Sequence, residues 1–218
     1  MGQNNEWGCG MQKNLNDILN LVADRAAEEP WMQVPEGGIV FVRRAKEDEI
    51  VPIHELTKEL ISAEVAPLSV VSEVYKRNQD SFWTVNRASD LTKADSRLVG
   101  YVGMLHLNPI GRERLESGNF DAHEPDVRLL VPNRTRPAAI YVWAIIAPKV
   151  GRQATNLIAH ALGAKLYGGV PIFATAGTLR GMNLMKGYGF SGAAGSEGLG
   201  QLFRLDQARS AVPASSAA

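Results

Sequence analysis

Ala138-Ala139-Ile140-Tyr141-Val142-Trp143-Ala144-Ile145-Ile146-Ala147 is an almost unbroken apolar run, rich in the β-branched and aromatic residues that suit a pleated surface. A strand with one wet face would alternate polar and apolar residues. This run is therefore expected inside a parallel or mixed sheet with both faces covered. Pro148 ends it, and Lys149-Val150-Gly151-Arg152-Gln153-Ala154 reads as a short basic loop. From Thr155 to Leu166 the residues Leu157, Ile158, Ala161, Leu162, Lys165 and Leu166 recur at helical spacing. Val170 to Thr175 is a second apolar strand, which completes a βαβ unit. Thr178 to Phe190 follows as a short helix closed by a glycine turn and an aromatic.

Upstream of this unit, Asn14 or Asn16 can cap an amphipathic helix whose stripe is Leu15, Ile18, Leu19, Val22 and Ala26, with Pro30 as its stop. Trp31 and Met32 are expected to help that helix dock. Residues 1–37 then form an N-terminal extension, with a domain from residue 38 to residue 206. Ile39 to Ala45 reads as a strand, and Lys46-Glu47-Asp48-Glu49 as a solvated charged turn at a helix start. Ile53, Leu56, Leu60 and Ile61 make one amphipathic helix. A second starts after Pro67, with Leu68, Val71, Val74 and Tyr75 on its apolar face. Ser81 to Asn86 and Arg97 to Leu107 read as two strands joined by a polar loop. Asn108 to Pro137 breaks the pattern with Pro109, Pro125 and Pro132 and many charges, and long irregular connections of this kind tend to be lids over a site. Beyond Phe190, a glycine-rich connection leads to a last strand at Gln201 to Leu205, and residues 207–218 read as a disordered tail.

At 218 residues the chain can bury a substantial core. Its 23 basic and 23 acidic side chains cancel, so nothing in the overall charge favours nucleic acid or membrane surfaces. The lone Cys9 cannot form an internal disulfide and reads as a bystander thiol in a reducing compartment. No run approaches the ~20 apolar residues that span a bilayer, and the first residues lack the basic-then-apolar order of a secretory signal. A soluble cytoplasmic protein is expected. No metal site is called for, and the N-terminal stripe leaves a homodimer open.

The order of elements, strand, two helices, two strands, insertion, apolar strand, helix, strand, short helix and final strand, resembles the GCN5-related N-acetyltransferase (GNAT) superfamily. The resemblance runs from Ile39 to Leu205. It implies an α+β fold, a splayed mixed sheet flanked by helices, with acetyl-CoA or another acyl-CoA lying in the gap between the strand at Ile140 to Ala147 and that at Pro171 to Thr175. A helix N-terminus with small residues before it suits a pyrophosphate on physical grounds too, because its amides are unpaired and its dipole end is positive. The family's loop usually reads Arg/Gln-x-x-Gly-x-Gly/Ala. In one alignment Lys149, Arg152 and Ala154 take those places; in another, Gly151, Ala154 and Asn156 do. The implied cofactor contacts are Ile145, Ile146, Ala147, Lys149, Gly151, Arg152, Gln153, Ala154 and Thr155, together with Thr178.

Family members commonly end their fourth helix as Asn-x-x-Ala-x-x-Leu-Tyr-x-x-x-Gly-Phe. Leu184, Gly189 and Phe190 match, while Thr178, Gly181 and Met185 replace the asparagine, alanine and tyrosine. That tyrosine is the family's usual acid for the leaving thiolate, and methionine cannot donate a proton. The apolar strand also carries no carboxylate to act as a base. By chemical type, the candidates for deprotonation are water, His106, Glu124, His123 and Asp126, and those for protonation are Tyr188 and Tyr141. Three functions follow from the resemblance: an N-acyltransferase moving acetyl from acetyl-CoA to a primary amine by direct attack, a GNAT-like module that binds acyl-CoA without turnover, and a longer-chain synthase of the N-acyl amino acid or acyl-homoserine-lactone type.

Overall fold

The structure, a computed structural model, describes residues 31–35, 37–61, 65–148, 150–162, 167–193 and 198–206, and of residue 152 and residues 159–162 the backbone alone. Cys9, the expected N-terminal helix, Lys149 and the tail lie outside the described residues. Eight strands, β1 (Trp31–Gln33), β2 (Ile39–Arg44), β3 (Phe82–Ala88), β4 (Arg97–Leu107), β5 (Ala139–Ile146), β6 (Ile172–Thr175), β7 (Ser191–Gly192) and β8 (Leu202–Leu205), form one sheet in the order β1-β2-β3-β4-β5-β6-β8-β7. Every neighbouring pair is antiparallel except β5 and β6, so β5 is the interior strand its composition requires. Among the described residues the helices are α1 (Ile50–Leu60), α2 (Leu68–Arg77), α3 (Pro109–Glu116), α4 (Gly151–Leu162) and α5 (Leu179–Gly187). The expected mixed α+β architecture, a sheet flanked by helices, is what forms.

The sheet begins ahead of the expected boundary. Trp31 and Met32 pair with Phe41 and Val40, so they form a sheet edge. The turn that returns the chain to β2 needs Gly38 in a left-handed conformation, and a Cβ there would meet the Ala88 carbonyl oxygen at 2.5 Å.

α1 and α2 cover one face. Ile50, Ile53, Val71, Val74 and Tyr75 pack with Phe82, Tyr101, Leu105 and Tyr141. Leu60 and Ile61, expected in the α1 stripe, lie at its C-terminal end on the face of Ile53 and Thr57 but are exposed, Ile61 at the wall of a cleft. The charged turn before α1 is not merely solvated. Glu49 accepts two bonds from the Arg43 guanidinium, at 2.7 and 2.6 Å, and one from the Lys46 amide at 2.8 Å. These contacts, led by Arg43, hold its carboxyl below the usual carboxylate range. On the opposite face, Ala154, Leu157 and Ile158 of α4 pack with Val40, Val42, Val85, Met104 and Ile140.

The insertion from Asn108 to Pro137 has more structure than its composition suggests. It contains α3, started by Asn108, whose side chain accepts from the Gly111 amide at 2.8 Å. It also contains a 3-10 turn at Val127–Leu129. Its end is sewn to β4 by the Val131 amide on the His106 carbonyl at 2.8 Å, and to α2 by Arg77 Nε on the Leu130 carbonyl at 3.0 Å. The glycine-rich connection after Phe190 likewise contributes β7, which pairs with β8.

Candidate active site

The feature that organises the site is the end of the β5–β6 pairing. β6 pairs with Ile140, Tyr141 and Val142 and no further. On the other side of β5, Gly103 faces Ala144 and Met104 faces Val142, which leaves Trp143 as the extra residue of a β-bulge. A bulge bends its strand, and here the bend coincides with the point where β5 leaves β6. The bulge also changes which face each side chain joins. Ile140 packs on the α4 side and Tyr141 on the α1–α2 side, whereas after Trp143 it is Ala144 and Ile146 that join the α1–α2 side and Ile145 that joins the α4 side. N–H groups along a strand alternate between its two edges, so one of the Ile145 and Ile146 amides points away from β4 into the gap.

The turn after β5 is tight. The Val150 amide bonds the Ala147 carbonyl at 3.2 Å, and α4 begins at Gly151. The expected basic loop is therefore the first turn of the helix, because Val150 and Ala154 are buried and pull it onto the sheet. Ala154, expected to face the cofactor, is fully buried, and its amide is spent on the Val150 carbonyl at 2.9 Å. The Thr155 hydroxyl is likewise committed to the Gly151 carbonyl at 2.8 Å. What α4 offers an anion is the unpaired amides of its first turn, from Gly151 to Gln153, with Gly151 and Gln153 half-buried. Thr178 stands at the start of α5 and caps it by accepting from the Gly181 amide at 3.1 Å.

On the α1–α2 side of β5 lies a cleft of about 310 Å³. Phe82, Tyr101, Tyr141 and Trp143 supply aromatic walls, and His54, Thr57 and His123 supply polar atoms. Two proton assignments follow from geometry. Thr57 donates to the Ile53 carbonyl at 2.8 Å, and a hydroxyl has one proton, so at 2.6 Å it is Tyr101 that donates to Thr57. Burial raises the Tyr101 pKa further from the neutral range. His54 Nε2 lies 3.0 Å from the Ala66 carbonyl, which can only accept, so Nε2 carries the hydrogen. Nδ1 is buried and without a hydrogen-bond partner, with Glu55 Oε1 3.6 Å away.

The catalytic candidates separate cleanly. Tyr141 lines the cleft, with its ring 6.1 Å from that of Phe120. His123 lines it too, carried there by the insertion, whose Ala122 carbonyl accepts from Trp143 Nε1 at 2.6 Å. Glu124 and Asp126 do not reach it. Asp126 is held by Arg128, which lowers its pKa to about 2. Tyr188 lies on the other face and gives its proton to Asn156 Oδ1 at 2.9 Å, tying α4 to the end of α5. His106 is fully buried near Tyr167, Asp80 and Ser81, its Nε2 without a partner, and burial pulls its pKa down to about 4 despite the opposing pull of Asp80. A ring sealed in this way cannot meet a substrate. Met185, in place of the family's tyrosine, is buried against Ala174 and Phe203.

No family model and no curated protein matches the sequence. Among solved structures, diaminobutyrate acetyltransferase from Paenibacillus lautus, in complex with L-2,4-diaminobutyric acid and coenzyme A, is similar at 16% identity and a TM-score of 0.48, over 78% of this chain and 96% of that one. An arylalkylamine N-acetyltransferase-like protein from mosquito is similar at 12% identity and a TM-score of 0.45, over 76% of this chain and 97% of that one. Neither similarity bears on substrate or chemistry, for which the chain's own sheet and cleft supply the observations. No helix among the described residues is long and apolar enough to cross a membrane.

His54, Thr57 and Tyr101 were not singled out by sequence. One signal existed: Thr57 occupies a position where the stripe from Ile50 through Ile53 calls for an apolar residue, and His54 lies three residues before it on the same face.

Proposed function

We propose that this chain is an acyl-CoA-dependent N-acyltransferase of the GNAT kind, with acetyl as the transferred group. The observation that carries the reading is the parting of β5 from β6 after Val142 and Ala174, with a helix start immediately beyond β5 and a cleft on its other face. A thioester in that gap would lie between first-turn amides suited to its pyrophosphate and a free strand edge suited to its carbonyl oxygen. The acceptor nitrogen attacks the thioester carbon, the N–C bond forms, the C–S bond breaks, and the nitrogen loses a proton while the thiolate gains one. Tyr141 is the proton source this reading assigns to sulfur, in place of Tyr188, whose proton is committed. Positioning of the amine against the thioester supplies much of the rest, by ~7 to 11 kcal/mol in favourable cases.

The test is thermal unfolding with acetyl-CoA, CoA and a long-chain acyl-CoA, followed by thiol release in the presence of amines. Ligands that bind the folded state raise the melting temperature, and all three sharing the CoA moiety should do so. A chain that gives no shift with any of them is not a CoA-binding protein. Buried Met185 at the family's tyrosine position favours a second reading, a module that binds acyl-CoA without turnover; it is distinguished by a shift without thiol release. A shift and turnover confined to the long-chain ester would instead support the longer-chain synthase.

A further inference from the structure

We infer that Tyr188 is a positioning residue for the acyl-CoA: acting through Asn156, it fixes the start of α4 against α5 and so sets where the first-turn amides of α4 point. This rests on the acyl-CoA reading above.

The two helices share one face of the sheet. α4 packs on Val40, Val85, Met104 and Ile140, while Met182 and Met185 of α5 pack with Val142, Ala174 and Phe203. Ile140 and Val142 are two apart ahead of the bulge, so they point the same way. The seam between α4 and α5 therefore runs over the β5–β6 pair, whose pairing ends at Val142 and Ala174.

Ala154, Leu157 and Ile158 hold α4 to the sheet, but apolar contacts have little directional preference. A hydrogen bond has a defined length and angle, and Asn156 supplies one across the seam. Its Oδ1 accepts the Tyr188 phenol proton at 2.9 Å, with both residues half-buried. Asn156 and Gln153 are three residues apart and share a flank of α4. Gln153 belongs to the turn whose unpaired amides suit a pyrophosphate. Tyr188 is itself well held: its amide bonds the Met185 carbonyl at 2.9 Å and its ring packs against Leu205 of β8. The phenol thus joins the strands beyond the gap to the helix that starts the anion site. A proton given to Asn156 is not available to a leaving thiolate, so removing it costs affinity and not proton transfer.

The experiment uses the full chain with Tyr188→Phe, Asn156→Ala and the double variant; Tyr188→Phe keeps the ring on Leu205 and guards against a folding defect. Titration calorimetry with acetyl-CoA and with CoA is expected to show roughly fivefold weaker binding in each single variant, the scale of one neutral hydrogen bond. The double variant should lose no more, because both substitutions break the same bond. In thiol release, KM for acetyl-CoA should rise by the same factor while kcat holds. S-acetylpantetheine, which carries the same thioester without the pyrophosphate, should keep its wild-type affinity and kcat/KM, whereas a general loosening of the fold would weaken both thioesters alike. Wild-type acetyl-CoA affinity in Tyr188→Phe, an equal loss with S-acetylpantetheine, or losses that add in the double variant would each overturn the inference and leave the acyl-CoA reading standing. A hundredfold fall in kcat with unchanged affinity would overturn it too, by making the phenol the general acid. If neither CoA species binds the wild type, both fall.

Discussion

Placing a carboxylate at the start of α4 separates the anion site from the fold, because the two respond in opposite directions. Gly151 is half-buried, a Cβ built on it meets nothing within 4 Å, and it is the first residue of a twelve-residue helix. In Gly151→Asp the new side chain fits, and an acid in the first turn favours the empty helix by about 0.3–1 kcal/mol. Toward a pyrophosphate held on the same amides the sign reverses. Two phosphoryl charges about 6 Å from the carboxylate repel it by roughly 1.4 kcal/mol at the dielectric constant of water and by about 3 kcal/mol at half that value. That corresponds to a loss of about ten- to a hundredfold in acetyl-CoA affinity.

Titration calorimetry of wild type, Gly151→Ala and Gly151→Asp at low and high salt reads the effect directly. Gly151→Ala should bind as wild type does, and the deficit of Gly151→Asp should shrink as salt screens it. Wild-type affinity in Gly151→Asp at low salt, with an intact melting temperature, would place the phosphates somewhere other than this helix start and remove the main support for the cofactor pose.

Other expectations are independent of that one. Tyr141→Phe should lower kcat roughly a hundredfold, the scale of a lost general acid, while leaving acetyl-CoA affinity in place; an unchanged kcat in steady-state assays would exclude the phenol as the proton source. Gly100→Ala puts a Cβ 2.1 Å from the Ile146 carbonyl oxygen and 2.8 Å from the Ala147 Cα, so it should cost about 1–3 kcal/mol in urea unfolding and displace the end of β5. His106 has a folded pKa of about 4 against an ordinary 6.5, so between those values the unfolded chain binds the extra proton. Its contribution is complete above pH 6.5 and is lost as pH falls toward 4, by roughly 3 kcal/mol for a group this buried. Urea midpoints at pH 7 and 4.5 should show that loss in wild type and a smaller one in His106→Leu.

β4 from Arg97 to Leu107 was legible to the residue, and β5 nearly so, because a strand buried on both faces writes itself as a continuous apolar run. α2 was legible through Pro67 and the spacing of Val71, Val74 and Tyr75. The site was harder to read. Ala154 occupies the place where the family motif wants a small residue, yet smallness here serves close helix–sheet packing, and a sequence cannot distinguish a small residue that admits a ligand from one that admits a neighbouring strand. His106 and Tyr141 looked alike as candidates, since both are single polar residues on apolar strands. Only the pairing register and the packing around each decide that Tyr141 lines the cleft and His106 is sealed beside Asp80 and Tyr167. The fastenings of the insertion join residues far apart in the chain, such as Arg77 with Leu130, and leave no local pattern to find.

The extra residue at Trp143 makes the length of β5 as constrained as its composition. Deleting it would restore strict alternation with Gly103 still opposite Ala144 and Met104 still opposite Val142, so Ala144 and Ile146 would keep the α1–α2 side; what would go is the bend in the strand and the indole that walls the cleft. The strand works as two short strands of opposite phase joined at one residue, and a chain that lost that residue would keep its register on β4 but run straight where β5 now leaves β6.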